Sequence, residues 1–303
     1  MRYKFNIKTM NNYPNFNHES SYKMHEVEEL QMAAITPSII SQPESIDRLR
    51  HQRMLDALTT KLIPIFPEAS WLTIGDGRCG SDSIYLKYAG AKHIHTSSIT
   101  DLSFKTAQQN GWIDTYSAEN AENLSFNDNS FDFVLCKESY HHFPRPAIGF
   151  YEMLRVSRIG VVLIEPNLAG FSPLKFMKTI FKKITSRSVF SEYEPSGNYI
   201  FRLDPKQLYH MARAMNLPAM ATAFHNDFYH PRLFKSAVRT RLETIIFKIG
   251  IGIQNSLCFL RLLAPGGVSC VVFKKSLTDI EINQMKRSGI NVTALIRNPY
   301  IYC

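Results

Sequence analysis

One stretch does most to restrict the fold. Trp71-Leu72-Thr73-Ile74 is a short apolar run, Gly75-Asp76-Gly77-Arg78-Cys79-Gly80 follows it directly, and a helical pattern begins at Ser81 and runs to about Tyr88. A strand that turns through glycines into a helix is the opening unit of a doubly wound sheet. Glycines permit the sharp turn and let the backbone approach a ligand closely at the helix N-terminus.

The rest of the chain repeats the alternation. Strands are expected at His93 to Ser97, near Ile113 to Ser117, at Phe131 to Cys136 and at Gly160 to Glu165, with helices over Asp101 to Asn110 and Pro146 to Val156. Such alternation predicts a mainly parallel sheet covered on both faces. Ahead of it, Ser45 reads as the cap of a helix that places Ile46, Leu49, Met54, Leu55 and Leu58 roughly on one face and ends near Pro64. Pro205 to Met215 reads as a helix and Gly267 to Lys274 as a last strand. Residues 1–44, rich in Asn, Ser and Tyr without clear periodicity, are expected to form an irregular arm or a cap over the site. Residues 278–303 are expected to be a C-terminal tail.

With 303 residues, 45% of them hydrophobic and 12% aromatic, the chain can bury a sizeable core. No uncharged apolar run reaches the roughly 18 residues of a spanning helix, and the first residues lack a secretory apolar segment. A cytoplasmic protein is expected. Cys79, Cys136, Cys258, Cys270 and Cys303 are widely spaced without a Cys-x-x-Cys pair, so reduced thiols are expected and no metal site. A net charge of +9 favours anionic partners. No basic run with interleaved aromatics marks a nucleic-acid track, and no nucleic-acid partner is expected.

The glycine run matches Gly-x-Gly-x-x-Gly, which by itself suits a nicotinamide dehydrogenase as well as a methyltransferase. Three features separate them: Asp76 inside the run, Ala121-Glu122-Asn123-Leu124-Ser125-Phe126, and Asn129-Ser130-Phe131-Asp132-Phe133-Val134, in that order. Together they resemble the class I S-adenosylmethionine-dependent methyltransferases, specifically the methyltransferase type 11 group, from about Trp71 to Asn167. The resemblance implies a Rossmann-like, doubly wound, mainly parallel seven-stranded α/β sheet with helices on both faces and a helical lid. The cofactor-binding domain would span residues 45–277, with lid insertions around 171–200 and 230–264. The implied cofactor is S-adenosyl-L-methionine, its methionine and ribose parts held by Gly75, Asp76, Gly77 and Gly80. Asn120, followed by Ala121, falls where the family has an acidic residue near the adenine; an amide can both accept and donate there. The end of the fourth strand, Cys136, Lys137 and Glu138, would reach the methionine through backbone groups. At the end of the second strand the family holds the ribose hydroxyls with an acid. Here the slot is Ser98, with one hydroxyl in place of two acceptor oxygens, unless Asp101 reaches back.

Methyl transfer needs an aligned acceptor and, where the acceptor holds a proton, a base. His141 and His142 lie just past the fourth strand as candidate bases; a similar pair recurs in the family the chain resembles, so packing against the cofactor is the alternative role. Glu165 ends the fifth strand, whose carboxyl end borders the crevice. His225 and Asp227 form a polar cluster between aromatics. Glu194 to Tyr199 reads as a loop with several hydrogen-bonding groups. Phe171 to Phe190 interleaves Lys175, Lys178, Lys182, Lys183 and Arg187 with apolar residues, and Ile245 to Leu263 is a second apolar helix. A lid over the sheet and peripheral attachment to the inner face of an anionic membrane both suit them. The reading is an O-methyltransferase acting on a small molecule or a sugar- or lipid-linked acceptor. The alternatives are a non-catalytic S-adenosylmethionine sensor or assembly protein and, below it, an NAD-dependent oxidoreductase.

Overall fold

The structure is a computed structural model that describes residues 18–33, 45–168, 170, 172–174, 176–177, 192–194, 196, 198–229 and 238–301. Its strands are β1 (Ser70–Ile74), β2 (His93–Ser98), β3 (Thr115–Ala118), β4 (Phe131–Lys137), β5 (Ser157–Pro166), β6 (Ala219–His225), β7 (Gly267–Phe273) and β8 (Val292–Ala294). They form one sheet in the order β3-β2-β1-β4-β5-β7-β6-β8. β1 to β5 run parallel, while β7 is antiparallel to both β5 and β6, and β8 is antiparallel to β6.

The helices are α1 (His18–Ala33), α2 (Ile46–Asp56), α3 (Thr59–Leu62), α4 (Ser81–Tyr88), α5 (Leu102–Gln109), α6 (Pro146–Val156), α7 (Pro205–Ala214), α8 (Arg241–Phe259) and α9 (Asp279–Arg287). Ser45 caps α2 as expected, its hydroxyl accepting from the Arg48 backbone N–H at 3.1 Å. α8 and α9 open with complete capping boxes, Thr240 with Glu243 and Thr278 with Glu281. Each such cap contributes about 0.5–2 kcal/mol.

Period-two alternation along the central strands builds a core on each face. From β4, Phe133 and Leu135 pack with Leu55, Leu58, Trp71, Val162 and Phe273, the Trp71 and Phe133 rings stacking at 4.7 Å. Val134 and Cys136 point the other way, toward Phe150, Met153, Val161, Leu163 and Val272. Burial on both faces explains why β4 and β5 read as apolar runs.

Two expectations need correction. The sheet has eight strands where seven were expected, because β8 lies in the segment read as a tail: Val292 pairs with Ala221 and Ala294 with Ala219. Three residues are too few to carry a period-two signal. The arm expected to be irregular contains α1, whose Met24, Val27 and Leu30 stay 38%, 51% and 44% exposed. A helix held by polar contacts has no apolar stripe to betray it.

Most of the basic stretch between Phe171 and Phe190 lies outside the described residues, as do residues 230–237 and Cys303. Among the described residues no helix is long and apolar enough to cross a membrane. Cys79, Cys136, Cys258 and Cys270 are free thiols, as expected.

Candidate active site

The strand order reverses between β1 and β4, and ligands of open α/β sheets bind outside the strand carboxyl ends at such a point. Four turns meet there: the glycine run after β1, Ser98 and Ile99 after β2, Glu119 to Glu122 after β3, and Glu138 to His142 after β4. They line two adjoining cavities of about 460 and 300 Å³ that share Gly75, Gly77, Arg78, Glu138, Ser139 and His142.

Gly75 sits at φ +70°, and a Cβ there would stand 2.5 Å from Ser139 Cβ and Oγ. Ser139 Oγ donates to the Gly75 carbonyl at 2.9 Å, locking the β1 and β4 turns together. A Cβ on Gly77 would lie 2.6 Å from Glu29 Oε1. Glycine is needed at position 75, where the positive φ and Ser139 Cβ leave no room; at Gly77 the neighbour is the movable tip of Glu29, and both neighbours are this chain's own side chains.

Asp76, expected against the cofactor, turns inward. Its carboxylate accepts from the Asp82 and Ser83 backbone N–H groups, each at 2.9 Å, and from Thr73 Oγ at 3.2 Å, capping α4 from beneath. Burial and the charge of Asp82 push its pKa up to about 7. Asp82 in turn pairs with Lys137 Nζ at 2.9 Å, both almost fully buried. The Lys137 side chain, expected to matter only through its backbone, thus anchors the smaller cavity. Lys137 Nζ also lies 2.9 Å from His51 Nδ1. Arg50 bonds Asp227 at 2.6 Å and Glu138 at 3.0 Å. Burial pushes the Glu138 carboxyl up, but Lys137, His51, Arg50 and Arg78 outweigh it and bring it to about 2.

The larger cavity is closed from the other side by α1, through Tyr22, His25, Glu28 and Glu29. Glu29 accepts from Ser98 Oγ in a very short bond and from Thr100 Oγ at 3.1 Å. Burial raises its pKa against the pull of those two hydroxyls. Tyr22 donates to buried Glu122 at 2.6 Å, and Arg145 Nε donates to the same oxygen at 2.6 Å. A carboxylate does stand at the Ser98 slot, and it comes from Glu29, not from Asp101. Asn120 and Ala121 line this cavity too, with Asn120 Oδ1 accepting from the Glu122 N–H at 2.9 Å.

His141 and His142 form a short 3₁₀ turn after β4, their rings 4.0 Å apart. His141 Nδ1 lies 2.5 Å from Glu165 Oε2, and the other Glu165 oxygen accepts from the Ser139 and Tyr140 N–H groups at 3.0 and 2.8 Å. Glu165 is 2% exposed and engaged on both oxygens, which holds the His141 ring in place. His142 borders both cavities, its Nδ1 2.5 Å from Glu194. His225 lines neither cavity: half-buried against Gly267, it is held down to about pKa 4, chiefly by desolvation. Asp227 reaches the site only indirectly, as the partner of Arg50.

A family model described as "Methyltransferase domain" matches residues 72–164, the segment that contributes most of β1, all of β4 and the four turns at the cavities, and ends one residue before Glu165. Over that third of its length the chain matches a methyltransferase domain. No curated protein matches it. Three solved structures are similar to this chain in fold. The YcgJ protein of Bacillus subtilis is 15% identical, with 72% of this chain and 99% of that one covered and a TM-score of 0.44. The magnesium protoporphyrin IX methyltransferase of Synechocystis, solved with bound SAH, is 16% identical, with 74% and 84% covered and a TM-score of 0.44. The cyclase SpnF is 16% identical, with 85% and 97% covered and a TM-score of 0.48. Tyr22, His25 and Glu29 lie on α1, outside the matched segment.

Proposed function

We propose that the protein methylates a hydroxyl group of a small-molecule acceptor, with His141 as the general base and Glu165 as its positioning residue. The observation that carries this reading is the 2.5 Å contact between His141 Nδ1 and buried Glu165 at the mouth of the crevice. An ionised carboxylate only accepts, so Nδ1 holds the proton and Nε2 is left as the basic nitrogen. His141 itself borders the smaller cavity.

The residues present fit the cofactor. Glu29 with Ser98 would hold the ribose hydroxyls, Asn120 and Ala121 would face the adenine, and the Lys137, Arg50 and Glu138 cluster suits the zwitterionic methionine end. When bound, the cofactor supplies a methyl group already activated on a sulfonium. The chain's residues then align the acceptor and take its proton, the kind of help a hydroxyl needs and a neutral amine does not.

Turnover against pH tests the base. Burial pulls the pKa of His141 down, but Glu165 outweighs it and holds the imidazolium above its ordinary value. Only the neutral ring accepts a proton, so turnover should rise with pH through a midpoint above about 6.5. His141→Gln should lower turnover roughly 10²–10⁴-fold with cofactor affinity little changed. Glu165→Gln should shift the midpoint downward. A profile flat from pH 5 to 9 in the unsubstituted enzyme would remove the base and point to an acceptor without a proton to lose. Titration with S-adenosylmethionine, S-adenosylhomocysteine and NAD checks the class itself: the first two should bind and the third should not.

A further inference from the structure

His25 on α1, His142 on the turn after β4, and Glu194 in a distant loop bring their donor atoms within 4.8 Å of one another at the edge of the larger cavity. We infer that these three side chains bind a divalent transition-metal ion of the zinc type, through His25 Nε2, His142 Nδ1 and the Glu194 carboxylate. One coordination position would be left for water or acceptor. Two imidazoles and a carboxylate are a donor set such ions prefer, and three protein ligands leave an open position.

Three details favour an ion over a plain hydrogen-bond network. His25 Nδ1 faces Glu28 Oε2 at 3.5 Å. A carboxylate beside the far ring nitrogen is the usual support of a metal-bound histidine. His25 Nε2 lies 3.8 Å from Glu194 Oε2 and accepts from the Asn198 amide, a bond that an ion between the two acceptors would replace. Donor atoms about 2.0–2.1 Å from a tetrahedral ion are about 3.4 Å apart. The 3.8 Å separation is close to that, and the 2.5 Å His142–Glu194 contact opens by about 1 Å when the ion takes the place of the shared proton. Finally, Asn198 sits against the cluster at 1% exposure, its amide nitrogen 3.1 Å from His25 Nε2 and 2.6 Å from the His142 carbonyl. Its Oδ1 is buried without a partner among the described residues, an acceptor that a metal-bound water can satisfy.

Binding of the ion stands apart from the methyl-transfer reading; its use rests on that reading. An acceptor oxygen on the open position would lose its proton more readily, which lightens the task of the adjacent His141.

The test uses the full-length, untagged chain, treated with chelator, dialysed and titrated with Co(II) and Zn(II) in the absence of cofactor. One equivalent should bind, Co(II) should give a visible d–d band, and Zn(II) should displace it. The affinity should fall as pH drops, since the ligands must lose protons. His25→Ala and His142→Ala should each remove the band, while His210→Ala, on the outer face of α7, should not. Should either alanine variant fail to fold by circular dichroism, Glu28→Gln serves in its place and should weaken binding about 10–100-fold. Absence of a stoichiometric site in the unsubstituted chain, or a band that survives in the folded His25→Ala/His142→Ala double variant, overturns the inference. Parallel titration with S-adenosylhomocysteine keeps the two readings apart: cobalt bound without it sinks methyl transfer alone, and the converse sinks the metal site alone.

Discussion

The two cavities at the crevice are built by different means. The smaller is walled by elements of the sheet and its nearest helices; Asp82 with Lys137 and Asp76 with the start of α4 are buried, and Arg50 with Glu138 and Asp227 half-buried. The larger is completed by α1, which leaves its apolar side chains exposed and meets the domain through Tyr22, His25 and Glu29. Buried ion pairs are strongly destabilising to break, whereas part-exposed polar contacts contribute about 1 kcal/mol each. The first cavity is therefore as stable as the fold, and the second as stable as the docking of one helix.

Substitutions on the two sides should separate accordingly. The largest effect is expected from Lys137→Met, which leaves Asp82 charged and unpaired with a side chain only 9% exposed. Breaking a buried pair from one side costs about 3–5 kcal/mol. Urea unfolding should show that loss directly, with cofactor affinity falling as well. A midpoint unchanged in urea would mean that the pair is solvated and that the smaller cavity is no more rigid than the larger.

The same contrast decides what could be read from the sequence. β1, the glycine turn, α4, β4, α6 and β5 were legible because each joins a hydrophobic period to a turn signal, and these elements set the topology and the smaller cavity. His141 and Glu165 were legible singly from their positions after strands, but not as a pair, since 24 residues separate them and only the β4–β5 register brings them together. Asp76 reads in the sequence as a cofactor contact because a cap and a cofactor contact ask for the same residue at the same place; in the fold it caps α4 and borders the smaller cavity. Glu29, Tyr22 and His25 were missed altogether. α1 lacks an apolar stripe, and its partners Ser98, Glu122 and Glu194 are tens of residues away. The one signal was negative: Ser98 stood where two acceptor oxygens were needed.

Glu29→Gln probes the larger cavity. Hydrogen bonds to charged groups contribute about 1.5–3 kcal/mol, so S-adenosylhomocysteine should bind roughly 10- to 100-fold more weakly by calorimetry. The thermal midpoint should hardly move, because the core beneath α1 is untouched. If stability falls and affinity does not, α1 is a structural strap and the ribose is held elsewhere.

The smallest effect expected is also the one that sharpens the comparison most. From the sequence, Ser98→Asp restores the missing acid and tightens the cofactor. In the folded chain the Ser98 hydroxyl donates to Glu29, whose carboxylate is already burdened by burial. An aspartate there offers no proton and sets two like charges side by side, a repulsion of about 1 kcal/mol or somewhat more in this partly solvated setting. Ser98→Asp alone should therefore weaken cofactor binding a few-fold and loosen α1, which limited proteolysis near residues 18–33 can register. In the Glu29→Gln background the sign should reverse, because the new carboxylate then meets an amide donor and supplies the two acceptors the ribose requires. The reversal is a coupling between positions 29 and 98, measured by the double-mutant cycle. Additive losses would show that the two side chains do not share a ligand, and would break the assignment of α1 to the cofactor site.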